Sequence, residues 1–95
     1  MDAGRWTFLT NHAHVLLLIA ADPEVRLRDV AERVGITERA AQAIVKDLCD
    51  AGYLARQRVG RRNHYTVDAR RPMRHREWQG HAVGELLTLL VDRAD

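Results

Sequence analysis

Residues 15–19 are apolar on every side of one helical stretch, and Thr10 or Asn11 stands where an N-cap would open it. All-round apolarity marks a helix enclosed by others. Asp22-Pro23 ends it. Val25 and Leu27 then flank Arg26, an alternation that predicts a short third strand for a small sheet. Over residues 29–34, Val30, Ala31 and Val34 share one stripe of a second helix. Gly35 follows, where a left-handed residue closes a helix at little steric cost. Thr37 caps a third helix, with Glu38 favourably placed in its first turn and Gly52 as its stop.

Residues 54–59 and 64–67 read as two strands around Gly60-Arg61-Arg62-Asn63, a loop of hairpin length. Residues 68–77 form a polar, arginine-rich connection containing Pro72. The spacing of Val83, Leu86, Leu87, Leu89, Leu90 and Val91 predicts a last helix over residues 78–93. The order is helix, short strand, helix, helix, hairpin, helix. It predicts a mainly α domain with a small antiparallel β-hairpin, the winged helix-turn-helix arrangement. Residues 1–70 would form the winged helix-turn-helix domain, and 71–95 a linker and C-terminal helix.

A chain of 95 residues, 46% of them hydrophobic, suits one folded domain with a modest core. The longest apolar run is seven residues, 15–21, against the ~20 that span a bilayer, and no secretory segment opens the chain. A cytoplasmic protein with no membrane partner is expected. The single cysteine, Cys49, excludes an internal disulfide and zinc-finger spacing.

The net charge of +2 conceals a segregation. Residues 53–76 hold eight arginines against one acid, Asp68, for a local charge of +7; the remainder carries −5. One basic segment on an otherwise acidic chain is the footprint of a polyanion binder.

Two helices joined by a tight turn need a small residue where they cross and a conformationally tolerant one in the turn. Ala31 and Gly35 supply these, with Val30, Val34 and Ile36 as apolar flanks. On the third helix Ala41, Ile44, Val45 and Leu48 fall within an arc of about 100°, a core-facing stripe. On the opposite side Arg39, Gln42, Ala43 and Lys46, with no acid among the four, share a second arc of about 100°. Such a face fits a major groove: Arg pairs bidentately with guanine, Gln with adenine, and Ala lets the backbone approach or touches a thymine methyl.

On the loop of the hairpin, Arg61 and Arg62 can grip phosphates or enter the minor groove. Arg56 and Arg58 alternate along the leading strand and so share a face. Leu54, Tyr65 and Val67 are assigned to packing. The expected DNA interface is therefore Thr37, Glu38, Arg39, Gln42, Ala43, Lys46, Arg56, Arg58, Arg61, Arg62 and Asn63.

Three phrases carry a family resemblance: Asp29-Val30-Ala31-Glu32-Arg33-Val34-Gly35-Ile36-Thr37, Leu48-Cys49-Asp50-Ala51-Gly52-Tyr53-Leu54 and Gly60-Arg61-Arg62-Asn63-His64-Tyr65. From residue 16 to 67 the sequence resembles winged helix-turn-helix regulators of the MarR and ArsR type. The resemblance implies a bacterial repressor or activator that binds palindromic operators as a homodimer, with its third helix in the major groove and its wing alongside. The chain departs from both types. MarR-type proteins are usually longer, with an extended helical dimer region and a ligand cleft. ArsR-type metal sensors often carry paired cysteines before the turn, or a histidine and acid set on the last helix. His75 and His81 are six apart, and His12 and His14 point to different helix faces, so no metal and no cofactor is expected. Cys49 reads as a plain, half-buried thiol.

No glycine-rich phosphate loop, nucleophile elbow or Cys/His pairing suggests an enzyme. Trp78, Val83, Leu86, Leu87 and Leu90 give the last helix more apolar surface than a lone outer helix needs, which points to a homodimer interface. The alternative function is a winged-helix interaction module whose arginines meet an acidic protein. The acid-free outer face of the third helix favours DNA. The sequence names no small-molecule effector.

Overall fold

The computed structural model describes residues 6–91 of the chain. It contains four α-helices and one hairpin: α1 (Asn11–Ala21), α2 (Leu27–Val34), α3 (Glu38–Asp50), β1 (Leu54–Val59), β2 (Arg62–Val67) and α4 (Val83–Leu90). A 3-10 turn, Arg76–Trp78, precedes α4. This is the winged helix-turn-helix order, mainly α with a small antiparallel sheet.

The three N-terminal helices enclose one core. Thr10 caps α1 by accepting a hydrogen bond from Ala13 N at 3.1 Å, and Val15, Leu16 and Ile19 are buried behind it. Val30 and Ala31 meet them from α2. The predicted stripe of α3, Ala41, Ile44, Val45 and Leu48, is buried throughout. Leu54, Tyr65 and Val83 complete the cluster from the hairpin and α4. Gly35, at φ +89°, closes α2, and Ile36 N donates to Ala31 O at 2.9 Å, so the chain turns directly into α3. Thr37 Oγ1 caps α3 by accepting from Ala40 N at 3.0 Å.

Three expectations are corrected. Val25 and Leu27 form no third strand: the sheet has two strands, and α2 begins at Leu27 rather than Asp29. A turn followed by the first helical residue places both side chains against the core as well as a strand would. All that remains of strand pairing there is one backbone bond, Tyr65 N to Pro23 O at 2.9 Å.

The hairpin loop is also tighter than four residues. Leu54 pairs with Val67 and Val59 with Arg62, leaving Gly60-Arg61 as a two-residue turn. Gly60 has φ +61°, which both favoured hairpin turns require at their first central position. Arg62 and Asn63 therefore belong to β2.

The last helix is shorter than predicted, starting at Val83 and not at Trp78; the expected end at Arg93 lies outside the described residues. Residues before it are diverted into an extended connection. Met73 N donates to His81 O at 3.0 Å, Val83 N to Arg71 O at 2.8 Å, and Gly84 N to Ala69 O at 2.8 Å. A Cβ at position 84 would stand 2.7 Å from Ala69 O, so glycine allows this approach. Glu85 caps α4 from within, accepting from Ala82 N at 3.2 Å. That is half of a capping box, since Ala82 has no side-chain oxygen to return the bond.

Candidate nucleic-acid interface

The N-terminal end of α2, the first turns of α3 and the hairpin enclose a cleft of about 430 Å³. Glu38 and Gln42 line it from α3, and Arg61, Arg62 and Asn63 from the hairpin. Arg26 and Arg28 line it from the start of α2. Four guanidinium groups thus outnumber two carboxylates, Glu24 and Glu38. The N-terminus of α2 adds its own partial positive charge. Polyanions are the natural occupants of such a field.

Arg39, Gln42, Ala43 and Lys46 are all exposed on α3, opposite its buried stripe. They do not all present free groups. Lys46 Nζ lies 2.8 Å from Asp50 Oδ2, one turn along the helix, so the outward arc of α3 carries one exposed acid and is not the acid-free face expected from the sequence. That hydrogen bond and charge raise the Lys46 pKa above its ordinary value and draw the ammonium toward the helix C-terminus. Thr37 spends its hydroxyl on the cap. Arg39, Gln42 and Ala43 therefore make up the open part of the face. At the far end, His12 Nε2 meets Asp47 Oδ2 at 2.9 Å, fastening α3 to the start of α1.

In the hairpin, Arg56 stands opposite Tyr65 and Arg58 opposite Asn63. Directly opposed residues share a face, so the two arginines continue the face that buries Leu54 and Tyr65. Both arginines are exposed, and Arg58 Nε donates to Gly60 O at 3.2 Å, across its own turn. Arg61 is at the tip. Arg62 is turned back, its Nη2 donating to Glu24 O at 2.9 Å. Beside it, His64 Nδ1 lies 3.4 Å from Glu24 Oε2.

The residues expected at a dimer interface separate into two groups. Val83 is buried in the chain's own core and Leu87 packs against it, while Leu86 is half-buried. Trp78 and Leu90 are 60% and 51% exposed, and Leu89, which is not among the residues expected at the interface, is 75% exposed next to Leu90.

Arg26 and Arg28 escaped the sequence reading because they precede the basic segment and reach the hairpin only through the tertiary fold. Among the described residues, His, Cys, Asp and Glu side chains form no cluster of three or more. No described helix is long and apolar enough to cross a membrane.

Residues 7–62 match the sequence model of the MarR family. That span runs from before α1 to the start of β2 and contains the complete helix-turn-helix. The chain belongs to the MarR family. Two solved structures agree. One is the PcaV transcriptional regulator of Streptomyces coelicolor, in complex with its natural ligand. It is 29% identical with a TM-score of 0.54, over 62% of this chain and 44% of that one. The other is the MarR family protein Rv2887 of Mycobacterium tuberculosis, in complex with salicylic acid. It is also 29% identical with a TM-score of 0.54, over 65% of this chain and 49% of that one. The chain thus spans just under half the length of either MarR-type relative. No curated protein matches it.

Proposed function

We propose that this MarR-family chain binds double-stranded DNA as a homodimeric transcriptional regulator. The observation that carries the reading is the shared cleft: Gln42 of α3 and Arg61 of the hairpin tip line one basic cavity together with Arg26 and Arg28. A helix that presents base-reading side chains beside a cationic hairpin is suited to a major groove and its flanking backbone.

In this arrangement Arg39 pairs with guanine, Gln42 with adenine, and Ala43 admits the base edges or touches a thymine methyl. Glu38 accepts from cytosine N4. Arg56, Arg58 and Arg61 hold the backbone or enter the minor groove, and Arg26 and Arg28 take phosphates beside the start of α2. Thr37 and Asn63 frame the site from the cap of α3 and from β2. Residues 71–95 join two copies. Trp78, Leu86 and Leu90 provide contact surface, and Val83 and Leu87 anchor α4 to its own domain beneath it.

Titrating labelled random duplex with the purified protein across a salt series tests the core of the reading. Affinity should fall linearly in log-log form, with a slope near −0.9 per phosphate contacted. Selection of bound fragments should then return a pseudo-palindrome. Retention on an acidic polypeptide with no salt-sensitive binding to duplex would overturn it.

A further inference from the structure

A two-stranded hairpin is marginally stable in water and needs support to hold its direction. Little of that support comes from β1, where every residue past Leu54 is exposed. It comes from the corner between α1 and α2. Tyr65 N donates to Pro23 O at 2.9 Å, and Arg62 Nη2 donates to Glu24 O at 2.9 Å. Between them His64 Nδ1 faces Glu24 Oε2 at 3.4 Å. Three residues of β2 are thus tied to two consecutive residues of one corner. The corner is itself braced: Pro23 has a fixed φ, Asp22 Oδ1 accepts from Glu24 N at 3.1 Å, and Asp22 O accepts from Val25 N at 3.0 Å.

Of these ties, the one from Arg62 is nearest the tip. Arg62 adjoins the turn and pairs with Val59 across it. Its neighbour Arg61 makes no hydrogen bond or ion pair among the described residues. The two arginines are adjacent in sequence, yet one is engaged with the body of the protein and the other is available.

We propose that Arg62 is a positioning residue: seated on the Glu24 carbonyl, it holds the hairpin tip at the mouth of the cleft and so sets where Arg61 meets the nucleic acid. The proposal rests on the DNA-binding reading above and divides the labour between two residues that composition treats alike. Only Arg61 is counted in the ionic contact. Arg62 acts through it.

The test uses the full chain and two measurements. First, in the absence of DNA, Arg62→Ala should lower the heteronuclear NOE of the Gly60 and Arg61 amides, reporting faster motion of the tip. Arg61→Ala should leave the Gly60 value unchanged. Thermal melts of both variants should coincide with the parent, since exposed contacts of this kind add little to global stability. Second, on random duplex, Arg61→Ala should reduce the salt slope by about one unit, and Arg62→Ala by no more than that. The double variant should lose about one unit in all, because the second substitution disables a contact already gone. A loss of about two units in the double variant would make Arg62 an independent phosphate ligand and overturn the proposal. So would an unchanged tip in Arg62→Ala. A slope indifferent to Arg61→Ala would remove Arg61 from the ionic contact and overturn the proposal, whereas a parent protein with no salt-sensitive binding to duplex would overturn the DNA-binding reading, and the NMR comparison would still judge the tether.

Discussion

Gln42, one turn into α3, and Arg61, at the tip of the hairpin, line the same cleft although they belong to elements of different kind. The group proposed to read bases and the group proposed to hold the backbone thereby line one cleft. Substitutions on α3 should act differently from those on the hairpin. Arg39→Ala or Gln42→Ala should cost about 1–3 kcal/mol on the preferred site and relax preference at one or two base positions. Competition among single-base variants of the selected site measures both effects. Undiminished discrimination in both variants would remove α3 from the reading role.

The exposed part of α4 should carry association between copies. Leu89→Glu with Leu90→Glu alters side chains that are 75% and 51% exposed. It should yield a monomer by sedimentation, with an unchanged melting temperature and weaker binding to a palindromic site. Leu87→Glu is a poorer probe of the same idea, because Leu87 packs against the core and a charge there would unfold the domain. A parent protein sedimenting as a monomer at tens of micromolar contradicts the dimer.

Tyr65 is 2% exposed, and its hydroxyl has no hydrogen-bond partner among the described residues. A buried polar group left unmatched costs about 1–3 kcal/mol. Tyr65→Phe should therefore be neutral or raise stability by about 1 kcal/mol. Tyr65→Ala should lower it by about 3–5 kcal/mol through the cavity it leaves. Urea denaturation of the three proteins separates these outcomes. A clear loss in Tyr65→Phe would mean that the hydroxyl is satisfied in solution.

Glu85 ties the start of α4 together through His81 Nδ1 at 2.7 Å and Ala82 N at 3.2 Å. The hydrogen bond from His81, then that from Ala82, holds its carboxyl below the ordinary value of 4.5. A depressed carboxylate stabilises the fold above its unfolded pKa, and that contribution is lost as pH falls below about 4.5 through the folded value. The Ala82 amide should exchange faster as pH drops through this window, after correction for intrinsic rates. Glu85→Gln, which keeps an acceptor but cannot titrate, should flatten the response. An equal response in both proteins would exclude Glu85 as its source.

Much of the helix-turn-helix was legible because its signals are local. Thr37 opens α3, Gly35 closes α2, and the apolar stripe from Ala41 to Leu48 repeats at helical spacing. None of these requires knowledge of what lies across the core. The errors came where a distant partner decides. Val25 and Leu27 satisfy a strand and a helix start equally, and only the Pro23–Tyr65 bond shows which backbone lies beside the hairpin. The length of the last helix depended on the pairing of residues 69–73 with 81–84, which withdraws Trp78 from a helix that its apolar neighbours suggested. The candidate site was read with the same asymmetry. Its outward face on α3 follows from periodicity, whereas the place of Arg26 and Arg28 beside Arg61 is a product of folding. The turning back of Arg62 has no sequence signature at all.

The three backbone bonds between residues 69–73 and 81–84 leave little slack between the end of β2 and the first turn of α4. Two copies joined through α4 would behave as a caliper with fixed jaws rather than as two readers on a tether. The gap between their recognition helices would be set by the protein and would not adapt to the operator. Half-sites should then be centred about 10–10.5 base pairs, or a multiple, apart. Inserting one base pair between them both lengthens the gap and rotates one half-site by about 34–36°, and a stiff caliper meets that error with a steep loss of affinity. Inserting a full helical turn should not restore binding, because the jaws cannot open.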